Sequence, residues 1–154
     1  MNRDILVWGK ELNAMNEIDY KELIKKAIEA RSFAYVPYSN FRVGASVLTE
    51  DNKIYNGCNI ENASFGATNC AERTAIFKAV SEGKTKIKAI AVIGRKDEFT
   101  YPCGICRQVI SEFGDENTIV ILAKNVDEYE IKTLEEILPG AFTKKDLNIR
   151  RQNV

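Results

Sequence analysis

Cys103-Gly104-Ile105-Cys106 follows Pro102 directly, and Cys70 lies upstream with Glu72 and Arg73 close behind it. These are the residues whose types and spacing suit chemistry. Two thiols spaced as C-x-x-C at a helix start are poised to hold a soft cation, because free N–H groups and the positive end of the helix dipole stabilise thiolates. Alone, the motif leaves three readings open: a metal site, a thioredoxin-like dithiol, or a chance pair of core thiols. Cys70 tilts the balance toward metal, since it also opens a helical pattern and three thiolates on two helix starts can converge. The sequence contains no histidine, so the ligand set is Cys70, Cys103 and Cys106. Three protein ligands leave one tetrahedral position open, as in a catalytic rather than a structural zinc site.

Three thiolates and one divalent ion sum to a net negative centre, which binds zinc tightly but acidifies water poorly. Arg73 is the nearest cation in sequence and can hydrogen-bond a ligand sulfur to withdraw that charge; otherwise it is a surface arginine on a helix. Glu72 faces the open position, where a carboxylate can take a proton from water and pass it to a substrate nitrogen. Its plainer reading is a first-turn glutamate that complements the dipole. Cys58, beside Gly57 in an apolar-patterned segment, reads as a small buried hydrophobe.

The lack of imidazole excludes Ser-His-Asp triads, Cys-His dyads and H-E-x-x-H zinc sites. With Lys+Arg 22 against Asp+Glu 22, no global positive field exists to gather nucleic acid or anionic lipid, and a small neutral ligand fits better. The chain has 154 residues, 45% hydrophobic and 29% charged, the proportions of one ordinary globular domain. No signal-peptide or membrane-span pattern is present, so a cytoplasmic protein with reduced thiols is expected.

The elements that must position these residues follow from periodicity. Residues 1–16 show weak patterning and read as an N-terminal extension to a domain spanning 17–154. Asp19 caps a helix through about Phe33, with Leu23, Ile24, Ala27 and Ile28 on one face, stopped by Pro37. A strand from Phe41 to Leu48, with Gly44 as a bulge or a close backbone approach, turns at Asp51-Asn52 into a second strand ending at Gly57-Cys58. Residues 59–66 form a shaped loop. Helices follow over Cys70–Glu82, closed by Gly83, and over Cys103–Phe113, stopped by Gly114. Ile87–Ile93 and Thr118–Ala123 are buried strands, parallel because each is reached through a helix. A short strand near Glu130–Thr133, a helix near Leu134–Leu138 and a basic tail complete the chain. The order predicts a three-layer α/β/α sandwich on a mixed five-stranded sheet.

Cys70-Ala71-Glu72-Arg73 together with Pro102-Cys103-Gly104-Ile105-Cys106-Arg107-Gln108 resembles the signature of the small, homotetrameric zinc cytidine deaminases, in the variant whose first ligand is cysteine. Pro37-Tyr38-Ser39-Asn40-Phe41-Arg42-Val43-Gly44-Ala45, Gly57-Cys58-Asn59-Ile60-Glu61-Asn62-Ala63 and Leu138-Pro139-Gly140-Ala141-Phe142 extend the likeness over about residues 17–147. The resemblance implies one Zn2+ per subunit and hydrolysis of cytidine and 2′-deoxycytidine to the uridines with release of ammonia, as in pyrimidine salvage. It implies that Glu72 shuttles protons to N3 and the leaving amine as water adds to C4, with backbone around Ala71 and Cys103 on the base edge. It further implies ribose contacts from Asn59 and Glu61, a base-pocket aromatic at Phe41, and a Phe142 that reaches a neighbouring subunit's site. Arg73 and Gln108 stand behind the ligands. Phe65 departs from the family's usual tyrosine, so a hydroxyl contact between subunits is lost there. The competing readings are a same-fold deaminase of another cytosine nucleoside, such as a blasticidin-type antibiotic, and a non-enzymatic zinc-stabilised interaction domain, which would want Cys58 as fourth ligand.

Overall fold

A computed structural model describes residues 18–147. The expected extension 1–16 and the end of the basic tail lie outside the described residues. Helix α1 spans Tyr20–Arg31, and Asp19 caps it by accepting a hydrogen bond from the Glu22 amide at 3.0 Å. It ends at Arg31 rather than Phe33 and well before Pro37. The Ser32 hydroxyl donates to Glu29 O at 2.7 Å, closing the last turn, and Phe33 beyond it is exposed.

Strands β1 (Gly44–Thr49) and β2 (Ile54–Cys58) form an antiparallel hairpin. Asn52, at φ 64°, supplies the left-handed residue its turn needs. Helix α2 (Ala71–Ser81) leads to β3 (Ile87–Ile93), and helix α3 (Gly104–Phe113) leads to β4 (Ile119–Ala123). Strand β5 (Tyr129–Thr133) and the short helix α4 (Leu134–Ile137) follow, the latter closed by a capping box between Thr133 and Glu136. The sheet order is β2-β1-β3-β4-β5, with β3 and β4 parallel and every other pair antiparallel. The expected mixed five-stranded sheet is therefore present.

Both faces of that sheet are covered, which explains why β3 reads as a continuous apolar run. Ala89, Ala91 and Ile93 point with Ile121 toward α1 and its Leu23, Ile24 and Ala27. Ile90 and Val92 point with Val120 and Leu122 the other way, toward Ala75, Ile76 and Ala79 of α2 and Ile110 of α3. Small residues on the α1 side let that helix lie close. Gly44 makes this explicit: a Cβ there would sit 1.9 Å from Ala27 O and 2.7 Å from Arg31 N, so no side chain fits. Gly44 is thus the close approach, and the sheet's irregularity lies instead at Leu48/Thr49.

β1 begins at Gly44, later than Phe41, because the Asn59 side chain replaces the strand ladder there. Asn59 Oδ1 accepts from the Val43 amide at 2.9 Å and Nδ2 donates to Phe41 O at 2.8 Å. The same loop is fixed by bridges joining Ile60 to Tyr35 and to Asn69. It is shaped by backbone pairing even though much of it faces solvent.

Candidate metal centre and active site

Cys70 and Cys103 are the N-cap residues of α2 and α3, in extended backbone at φ −74° and −66°, and Cys106 sits in the first turn of α3. Parallel packing of β3 and β4 sets the two preceding helices side by side, so their starts meet. The three sulfurs all lie within 4.8 Å of one another. A tetrahedral zinc with bonds of about 2.3 Å spaces its sulfurs about 3.8 Å apart. Cys70 Sγ and Cys103 Sγ are 3.8 Å apart, so the donor set fits zinc. Cys106 is fully buried while Cys103 is exposed, which leaves the cluster approachable from one side.

Electrostatics at the site favour thiolate. Hydrogen bonding from Cys106, aided by the Arg73 guanidinium and Cys103, holds the Cys70 thiol down at about 5 against burial. Cys106 is correspondingly pushed up, because its proton is shared with Cys70 and its surroundings are desolvated. Arg73 Nη2 donates to Cys70 Sγ at 3.5 Å. Its Nε is the only buried side-chain nitrogen or oxygen without a partner among the described residues. The structure thus places Arg73 against the cluster, not on an open surface.

Glu72 is 4% exposed, unusual for a glutamate one residue into a helix. Burial pushes its carboxyl up to about 7, and the negative charge on Cys70 adds to the rise. A carboxyl near that value can both accept and give up a proton around neutral pH. Cys58 is half-buried and stands outside the cluster, with its thiol pushed up by burial, so among the described residues no fourth cysteine joins the three.

Around this centre the structure distributes the other expected residues. Ala71 is fully buried at the start of α2. Phe41 lies part-buried against the core, with the Arg95 guanidinium 5.4 Å from its ring centroid. Glu61 Oε2 accepts from the amides of Tyr38 at 2.9 Å and Ser39 at 3.2 Å, and Oε1 accepts from the Ser39 hydroxyl. Asn59 is engaged with backbone on both ends of its amide, leaving one N–H and one lone pair for a ligand. Gln108 donates from Nε2 to Phe142 O at 2.8 Å. Phe142 itself is 63% exposed. Phe65 is also exposed, its ring edge-on to Tyr38 at 6.1 Å.

Two contributors had no role in the sequence reading. Arg107 donates from Nε to Pro102 O at 2.8 Å and from Nη1 to Ile137 O at 2.6 Å, tying the residue before Cys103 to the end of α4. Ser39 bridges Glu61 and Phe41. In the sequence Ser39 looks like a turn residue and Arg107 like any charged helix residue.

Three cysteine sulfurs that fit a zinc ion, with a buried carboxyl beside them and a mixed sheet behind them, define the class as an α/β metallohydrolase. Residues 17–122 match the model of the cytidine and deoxycytidylate deaminase zinc-binding region, and the chain belongs to that family. It is 51% identical over 131 residues to a cytidine deaminase of Halalkalibacterium halodurans, covering 85% of this chain and 99% of the relative. A probable cytidine deaminase of Dictyostelium discoideum is 44% identical over 134 residues, covering 86% and 90%. Among solved structures, the cytidine deaminase of Burkholderia pseudomallei superposes with a TM-score of 0.76 at 44% identity, covering 81% of this chain and all of that one. That of Mycobacterium tuberculosis gives 0.73 at 36%, covering 82% and 98%. No helix among the described residues is long and apolar enough to cross a membrane.

Proposed function

We propose that the protein hydrolyses cytidine and 2′-deoxycytidine to uridine and 2′-deoxyuridine, releasing ammonia, as a cytoplasmic homotetramer of pyrimidine salvage. The observation that carries this reading is the convergence of Cys70, Cys103 and Cys106 within 4.8 Å, next to a buried Glu72. The three cysteines would hold one Zn2+ per subunit, which supplies the Lewis acidity that makes water a nucleophile at neutral pH. Arg73, donating to Cys70 Sγ, withdraws negative charge from the thiolates and preserves that acidity.

Glu72 does the proton work. Its carboxylate takes a proton from the water that adds to C4 and delivers it to ring N3. It then carries the second proton of that water to the exocyclic nitrogen, so that the C4–N bond breaks and ammonia leaves. The backbone at Ala71, the first residue of α2, meets the base edge. Phe41 packs on the base, while Glu61 and the free positions of Asn59 receive the sugar hydroxyls. Phe142, exposed in the single chain, completes the site of a neighbouring subunit, and Gln108 anchors its backbone. Exposed Phe65 and Tyr38 supply apolar area for the same assembly.

Metal analysis of the purified protein followed by incubation with cytidine tests the reading. One zinc per chain with stoichiometric uridine and ammonia is the expected result. Zinc retained with no conversion of cytidine would overturn it and leave either a non-enzymatic zinc domain or a deaminase of another cytosine nucleoside.

A further inference from the structure

We infer that Ser39 is a positioning residue for the sugar-binding carboxylate, an inference that rests on the proposed ribose role of Glu61. Its single hydroxyl lies at a junction: it donates to Glu61 Oε1 and accepts from the Phe41 amide at 3.0 Å. The other carboxylate oxygen is held by the amides of Tyr38 and Ser39 at 2.9 and 3.2 Å. Glu61 is therefore clamped at both oxygens by one turn. That turn is built for the purpose, since Asn40 adopts the left-handed φ of 54° while its amide bonds Val36 O at 3.0 Å.

The clamp has two chemical consequences. A carboxylate oxygen has two acceptor positions, and Ser39 fills one on Oε1, which directs the remaining one. The sugar hydroxyl then meets an acceptor already fixed in direction, with no side-chain rotor to immobilise on binding. In addition, donation from three groups keeps Glu61 ionised, its pKa lowered mainly by the Ser39 hydroxyl. The same Ser39 oxygen accepts from the Phe41 amide, and that bond turns its hydroxyl proton toward Glu61. Removing the hydroxyl leaves Oε2 on the two amides but frees Oε1, so the acceptor that meets the sugar is no longer fixed in direction.

Ser39 is exposed and outside the core, so Ser39→Ala should fold; thermal unfolding checks this directly. The test compares kcat/KM on cytidine and on 2′,3′-dideoxycytidine, which has the same base and lacks the 2′- and 3′-hydroxyls assigned to Glu61. On cytidine, Ser39→Ala is expected to lower kcat/KM about tenfold or more, the scale of a hydrogen bond to a charged group. On the dideoxy substrate the loss should shrink to within about twofold, and Ser39→Thr, which keeps the hydroxyl, should recover cytidine activity. Equal losses on both substrates, or none on either, would overturn the positioning role. Glu61→Gln, run in parallel, separates the two claims: if it spares the preference for cytidine over the dideoxy substrate, the ribose reading of Glu61 itself fails.

Discussion

Replacing Gly57 with alanine perturbs the site without touching any residue that does chemistry. Gly57 lies in β2 beneath the first turns of α2, and a Cβ there would sit 2.5 Å from Ala75 N, 2.8 Å from Thr74 Cβ and 2.9 Å from Ala71 O. Two of those three atoms are helix backbone, which cannot swing aside as a flexible side chain does. Ordinary contact begins at 3.4 Å, so α2 must retreat by roughly 0.9 Å. Gly57 is not among the residues at positive φ, so alanine is otherwise compatible with its backbone. The retreat opens a gap under Ala71, Ala75 and Ile76, all fully buried, and overpacking of this kind costs about 1–3 kcal/mol. Relief of glycine's entropic penalty in a strand returns only about 0.5–1 kcal/mol. Strain therefore wins, and at about 2–4 °C per kcal/mol the melting temperature should fall by several degrees.

The larger effect is on turnover. Cys70, Glu72 and Arg73 ride on the turn that must move, while Cys103 and Cys106 stay with α3, so the cluster is sheared. A misplacement near 1 Å costs about 100-fold in rate. Steady-state kinetics on cytidine and calorimetric unfolding, both at full zinc occupancy, read the two effects. Gly66→Ala serves as the control, since a Cβ there meets nothing within 4 Å. A Gly57→Ala protein with wild-type melting temperature and wild-type kcat would refute the claim that this contact sets the position of α2.

Other perturbations separate further parts of the account. Arg73→Gln should weaken zinc retention against a chelator by about tenfold or more, through loss of a charge-assisted bond to Cys70, and lower kcat as well; equal chelator resistance would show that Arg73 does not tune the metal. Cys103→Ala should lose zinc and unfold at lower temperature, because assembly of the site and folding are linked, and metal analysis with unfolding checks both. Mixing Phe142→Ala with Glu72→Ala subunits, each inactive alone, should restore activity through sites that pair an intact Glu72 with a neighbour's Phe142; no recovery in confirmed hybrids would place Phe142 outside the neighbour's site. Asp51, held down at about 2 by hydrogen bonds from Lys84 and Thr49, protonates near 3.8 once unfolded. Its contribution to stability is present above that value and is lost as pH falls through about 2. Asp51→Asn should flatten the fall in melting temperature between about pH 4 and 2, and an unchanged slope would argue against the pair.

Much of the site was legible because its chemistry depends on local signals. A helical period follows both Cys70 and Cys103, so each could be read as opening a helix; the structure puts each one residue earlier, at the N-cap. The absence of histidine then fixed the ligand type. Covered strands announced themselves through Ile87–Ile93, and parallel pairing of β3 with β4 followed from the helix between them. What stayed hidden depends on contacts between distant segments. The start of β1 moved because Asn59, far along the chain, bonds Val43 and Phe41 in place of a strand. Gly44 offered two readings, and only the position of Ala27 chooses between them. Ser39 and Arg107 matter through oxygen atoms on Glu61, Pro102 and Ile137, which no local pattern reveals. The burial of Glu72 was equally invisible, since a glutamate in a first helical turn usually faces water.

The central claim is that Glu72 moves protons beside a metal it does not hold. The most direct measurement is zinc content and cytidine turnover of Glu72→Gln, which keeps the size of the side chain and removes its acid–base function. One zinc per chain, with turnover lowered by about two to four orders of magnitude, is the predicted result. Zinc retained together with near wild-type turnover would contradict it.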